Sequence, residues 1–131
     1  MFKKGNSAVI ELNPDNFIFS NGNVYIQHPK LLPQYNKSGL LAILAEWCGH
    51  CQRMKAAYAA VAMQLGDSFP MFYLDAVKHQ DFVQKYKLAQ GFPTIKYLEA
   101  KTGKVKEQYN GERDINGFLV NICEYSKVCK R

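Results

Sequence analysis

Cys48 and Cys51, set in Trp47-Cys48-Gly49-His50-Cys51, are the residues of this chain whose types and spacing best suit chemistry. A separation of three is nearly one helical turn, so on a helix both sulfurs lie on one face, close enough to close a short disulfide. A cysteine at the first turn of a helix also faces unpaired backbone N–H groups and the positive end of the dipole, which favours its thiolate. Cys48 is therefore the expected attacking sulfur and Cys51 the resolving one, in exchange through a mixed disulfide. His50, between them, is expected to stabilise the Cys48 thiolate, and a stabilised reduced form makes the disulfide a better oxidant. Trp47 is expected to offer apolar surface beside the sulfurs for docking an unfolded chain, with an ordinary core tryptophan as the other reading.

The elements that must position this motif are legible on both sides of it. Leu40-Leu41-Ala42-Ile43-Leu44-Ala45 is a continuous apolar run, as expected of a parallel strand buried on both faces. Residues 49–65 are strong helix formers, and Gly66 is placed to close that helix in a left-handed conformation. Cys48 thus falls where strand hands over to helix. Met71-Phe72-Tyr73-Leu74 predicts a second buried strand, followed by a helix over about 80–86. Residues 94–98 and 105–109 alternate around Thr102-Gly103 and predict an antiparallel hairpin, and Asp114 can cap a last helix with Ile115, Phe118, Leu119 and Ile122 on one face. Upstream, residues 8–12 read as a strand, Asn13-Pro14-Asp15 as the start of a brief helix, and Asn21-Gly22 as the turn of another hairpin. The sum is an α/β domain. Residues 1–39 form its strand and variable hairpin extension, 40–123 its catalytic core and 124–131 a tail.

At 131 residues, nearly half of them apolar or aromatic, the chain is the size of one packed domain, and two independent domains are not expected. Seventeen Lys and Arg stand against 11 Asp and Glu. The basic residues are scattered, and small clusters such as Lys101, Lys104 and Lys106, or Lys127, Lys130 and Arg131, are not interleaved with aromatics as a single-strand binding surface would be. Solvated surface is the expected role, with no specific nucleic-acid partner. The start Met1-Phe2-Lys3-Lys4 has no following apolar run of signal-peptide length, nothing later could span a bilayer, and the end carries no retention signal for the endoplasmic reticulum. A cytoplasmic or virion-associated setting is expected over that compartment.

Glu46-Trp47-Cys48-Gly49-His50-Cys51, followed by Gly91-Phe92-Pro93-Thr94 and Tyr109-Asn110-Gly111-Glu112-Arg113, closely resembles a catalytic domain of protein disulfide isomerase, within the thioredoxin superfamily. The resemblance covers about residues 40–122. In overall look the chain is also similar to small thioredoxin-like proteins carried by large DNA viruses. The resemblance implies a thioredoxin fold, a central mixed β-sheet flanked by helices on both faces. It implies Cys48, Gly49, His50 and Cys51 as the catalytic motif, and protein or peptide substrates bearing thiols or disulfides. No bound cofactor or metal is implied, and a partner protein or glutathione would recycle the pair. The proline matching Pro93 is cis in that family and packs across the disulfide, which would leave the Phe92 backbone free to pair with an extended substrate. The arginine matching Arg113 is thought to move toward the site and ease deprotonation of the second cysteine. Two further readings of the motif stay open beside an isomerase-type enzyme, a redox-controlled binding module with slow turnover and a thioredoxin-type reductant.

Three positions depart from the family pattern. A buried acid is usual six residues before the first cysteine, where this chain has Ala42, and its usual lysine partner position falls at Tyr73. The two are absent together, consistent with the cost of leaving one buried charge alone. Proton removal from Cys51 must then use water or another group, so resolution is expected to be slow. Ala56 stands where relatives carry a helix-kinking proline. Cys123 and Cys129, six apart, can pair only if the tail turns back, and two free thiols are an equal expectation. A zinc site joining them to Cys48, His50 and Cys51 would need two distant pairs to converge and is set aside. His28 and His79 are expected at the surface.

Overall fold

The computed structural model describes residues 1–2 and 7–129. Lys3 and Lys4 of the basic start, and Lys130 and Arg131 of the basic tail cluster, lie outside the described residues.

The apolar run becomes strand β4 (Gly39–Leu44), buried along its whole length. It lies at the centre of a five-stranded mixed sheet. Parallel to it on one side runs β5 (Met71–Asp75), which in turn pairs in parallel with the short β1 (Ile10–Glu11). On the other side β6 (Thr94–Leu98) and β7 (Val105–Gln108) continue antiparallel, giving the order β1-β5-β4-β6-β7. The hairpin of β2 (Phe17–Ser20) and β3 (Asn23–Ile26) forms a separate two-stranded sheet.

Side chains alternate across a strand, and β4 divides accordingly. Leu40, Ala42 and Leu44 join the core under α1 (Gly49–Leu65) and α3 (Ile115–Ser126), with Met54, Tyr58, Val61, Phe118 and Ile122. Leu41 and Ile43 join the opposite core, with Phe17 and Ile26 of the hairpin and Val83 of α2 (Gln80–Lys85). Two cores thus share one strand, and each fully buried Leu or Ile in it contributes about 1.5–3 kcal/mol. Tyr58 is wholly buried because its hydroxyl has somewhere to go, donating to the Phe72 carbonyl at 2.7 Å with the Leu40 carbonyl at 3.3 Å.

The hairpin turn is made by Asn21 and Gly22, both with positive φ (52° and 79°), as a tight two-residue turn demands. Its aromatic face packs on α2, with Phe19 stacked on Tyr86 at 4.0 Å and Phe17 edge-on to Phe82 at 5.2 Å. Asn13 caps a 3₁₀ turn over Pro14–Asn16 with its side chain, so β1 stops at Glu11, short of the strand expected over 8–12.

Three expectations need correction. Gly66 ends α1 at φ 57°, ψ −138°, outside the left-handed helical region and in a part of conformational space that only glycine occupies readily, and a 3₁₀ turn over Gly66–Ser68 follows. His28 is half-buried. Its Nδ1 accepts from the Lys30 backbone N–H at 3.1 Å and its ring meets Phe72 edge-on, while burial holds its pKa below the ordinary value. His79 caps the start of α2 by position, with a buried Nε2 that has no partner.

The tail does turn back. Lys127 takes a left-handed conformation (φ 59°) at the end of α3, its N–H returning to the Cys123 carbonyl, and Cys123 and Cys129 are joined as a disulfide with Cα atoms 5.2 Å apart. Val128 packs against the core and Tyr125 stacks on Tyr97 at 4.2 Å. Closing so short a loop restricts the unfolded chain by roughly 2 kcal/mol. The Cys123→Ser/Cys129→Ser variant is expected to lose about that much in urea denaturation, and the oxidised wild type to lose it on reduction of this bond.

Candidate active site

The chain leaves β4 at Leu44 and re-enters regular structure at Gly49, with four residues between. The Cys48 N–H bonds to the Ala45 carbonyl at 3.0 Å, making Ala45 to Cys48 a tight turn, and Cys48 itself is the N-cap of α1. Its sulfur takes the role usually played by a capping oxygen, accepting from the Cys51 N–H at 3.2 Å. Gly49 is the first helical residue, and a Cβ there would meet Arg53 Nη1 at 3.5 Å.

Both cysteines are free thiols and both are buried, with Cys51 fully covered and Cys48 6% exposed. Cys48 lies nearer the surface, and its thiol donates to the Phe92 carbonyl at 3.5 Å. The Phe92–Pro93 peptide is cis. The loop that carries it is held by Thr94, whose hydroxyl donates to the Gly91 carbonyl at 2.6 Å. Trp47 is 72% exposed, which removes the core reading, and its ring meets Phe92 edge-on at 5.5 Å. Trp47, Cys48, Phe92 and Pro93 therefore converge on one spot from two separate segments, the β4–α1 turn and the loop before β6.

Cys51 sits under Cys48, and its thiol is pushed up to about 12 from an ordinary 9.0. Burial is the largest cause, followed by its hydrogen bond with Cys48; the charge of Arg113 pulls the other way. Among the described residues no acid offsets this from the sheet side. Ala42 is fully buried on β4 opposite Tyr73, and Tyr73 is covered by Phe2, edge-on at 4.7 Å. The Tyr73 phenol is likewise pushed up to about 12, by burial first and by Glu11 next. Aromatic packing occupies this side of the sheet.

His50 is exposed, and its Nδ1 lies 2.8 Å from Arg53 Nη2. As drawn by that contact, the guanidinium donates and the imidazole accepts, so the ring is held toward the first turn of α1 by a cation one turn on. Arg53 was not singled out in the sequence; the i, i+3 spacing from His50 on a predicted helix was the available signal. Arg113 lies just before Asp114, the N-cap of α3, exposed in this conformation, and reaches Cys51 through its charge.

The family described as Thioredoxin matches residues 10–124, and the chain belongs to it. Its curated relatives include Protein disulfide isomerase-like 2-2 of Oryza sativa subsp. japonica, 34% identical over 120 residues, covering 90% of this chain and 29% of that protein. Protein disulfide-isomerase A6 of Mesocricetus auratus is 40% identical over 105 residues, 80% of this chain and 21% of that protein. The chain thus spans less than a third of the length of these relatives. Among solved structures, the Trx4 domain of ERdj5 superposes with a TM-score of 0.67 at 22% identity, over 91% of this chain and 96% of that one, a likeness of fold.

Resolution requires the Cys51 thiolate, and the burial that is the largest cause of its raised pKa persists when Cys48 is joined to a substrate, so below that pKa the thiolate fraction rises tenfold for each pH unit. Release of a thiol from a mixed disulfide at Cys48, followed by stopped flow, is expected to rise with a log-linear slope near one from pH 7 to 9; a flat profile would mean another group takes the proton. By the same shift the native reduced state holds a proton that the unfolded state releases above pH 9.0, so reduced-state stability is expected to fall as pH rises from there toward about 12. Arg113→Gln removes the pull on Cys51 and is expected to slow release about threefold at fixed pH, as suits one exposed charge.

Proposed function

We propose that this chain is a thiol–disulfide oxidoreductase of the protein disulfide isomerase type, acting on protein or peptide substrates through Cys48 and Cys51 with no bound cofactor. The observation that carries the reading is the stacked dithiol. An outer sulfur at a helix N-cap faces the Phe92 backbone, and an inner sulfur lies directly beneath it.

In the reducing direction, the Cys48 thiolate attacks one sulfur of a substrate disulfide. The substrate S–S bond breaks, a Cys48–substrate bond forms and the departing sulfur takes up a proton. Cys51 then loses its proton and attacks the Cys48 sulfur, closing Cys48–Cys51 and releasing the second substrate thiol. Two electrons pass from the pair to the substrate. Oxidation is the reverse, and isomerisation stops at the mixed disulfide until another substrate thiol displaces Cys48. A recycling protein or glutathione returns the pair to its starting state. The exposed Trp47 and the edge-on Phe92 give an apolar rim that an unfolded chain can cover.

The elevated Cys51 pKa favours one second reading, a redox-controlled binding module that captures disulfide-bearing partners by exchange at Cys48 and releases them slowly. Cys51→Ser separates the two. For an enzyme, the variant accumulates mixed disulfides that the wild type clears, with at least about a hundredfold longer lifetime, since the attacking sulfur is gone. For a slow module, wild type and variant hold their partners for similar times. The reduction potential of the couple in glutathione buffers then sets direction. A value near about −180 mV marks an oxidant or isomerase, and one near about −270 mV a reductant of the thioredoxin type.

A further inference from the structure

Two depressions meet at Ala89, Gln90 and Phe92, on either side of the loop that faces Cys48. One, of about 360 Å³, is roofed by Trp47 and floored by Ala76 and Val83, and it continues the apolar rim already described. The other is larger, about 610 Å³, and different in chemistry. It runs from Phe92-Pro93 along the start of β6, and its charged lining consists of Lys87 and Lys96, with no carboxylate.

The backbone sets both lysines along this groove, and neither is neutralised by a carboxylate. Lys87 follows α2 in a left-handed conformation (φ 52°), its N–H returning to the Gln84 carbonyl at 3.2 Å. Lys96 is half-buried in β6 opposite Gln108. Among the described residues the ion pairs engage Lys30, Lys78 and Lys106 and leave these two without a carboxylate within 4.0 Å. A substrate strand joined to Cys48 lies beside the Phe92 carbonyl, 3.5 Å from the sulfur, and Phe92 lines both depressions, so the basic groove opens within reach of such a strand.

We infer that Lys87 and Lys96 select substrate polypeptides that carry Asp or Glu within a few residues of the attacked cysteine. The inference rests on the exchange activity proposed above and adds a substrate class to it. Charge complementarity raises the encounter rate and fixes which arm of the strand lies in which depression, and it weakens with salt.

The test compares kcat/KM for three disulfide-bonded reporter peptides, identical except for acidic, neutral or lysine residues flanking the cysteine. At low ionic strength the wild type is expected to favour the acidic over the neutral peptide about fivefold, as two exposed charge contacts allow, with the ratio falling toward one at high salt. Lys87→Gln/Lys96→Gln should bring the ratio close to one. Lys37→Gln/Lys101→Gln removes the same charge at the opposite end of the sheet and should leave the ratio intact. Equal rates on all three peptides with good turnover of the neutral one would overturn the inference and leave the exchange reading standing. Equal loss of the ratio in both double variants would overturn it in favour of net charge. A loss in Lys87→Gln/Lys96→Gln confined to glutathione disulfide, with the peptide ratio unchanged, would overturn it in favour of a small thiol. Absence of turnover on every peptide would overturn the exchange reading and this one together.

Discussion

One constraint orders this structure: a strand buried on both faces must end, and a helix must begin, within four residues. Burial of β4 by two cores fixes where Leu44 lies to within the tolerance of close packing. The turn that follows hands the first helical position to Gly49 and the capping position to Cys48. Everything the thiol pair can do follows from that placement. The cap puts one sulfur among unpaired N–H groups at the rim, and the helical repeat puts the other beneath it, against the sheet.

The second half of the site comes from a distant part of the chain. The loop before β6 is brought to Cys48 because β6 pairs with β4 directly, Ala42 opposite Ile95 and Ile43 opposite Thr94. The register that seats Ile95 in one core therefore also seats Phe92 against the sulfur. A change that loosened the β4–β6 pairing would act on the site without touching either cysteine, through the distance between Cys48 and the Phe92 carbonyl.

Much of this is legible in the amino-acid sequence. The unbroken apolar run at 40–45, the helix formers after it and the Asn21-Gly22 turn each carry a local physical signal, and the elements they predicted lie where those signals placed them. Cys48, Cys51, Trp47, Phe92 and Pro93, singled out from motif and resemblance, converge in space. What was not legible depends on contacts between side chains or on conformations that several sequences could adopt. The pairing of Cys123 with Cys129 hangs on Lys127 turning left-handed, a state that lysine does not advertise. The Arg53–His50 contact needs both rotamers, and the half-burial of His28 needs Phe72 of a strand over forty positions away. Gly66 was recognisable as a stop, but its ψ was set by the 3₁₀ turn that follows.

The disulfide in the tail gives the protein a double relation to its own chemistry. Cys129 is exposed, and the bond it shares with Cys123 belongs to the same chemical class as the bonds the site would make and break. The docking of Val128, held by that bond, is thereby tied to the electron balance of the surroundings and not to packing alone. The end of the chain, from Cys123 in the last helix to Cys129 beyond it, thus carries a redox-dependent joint of its own.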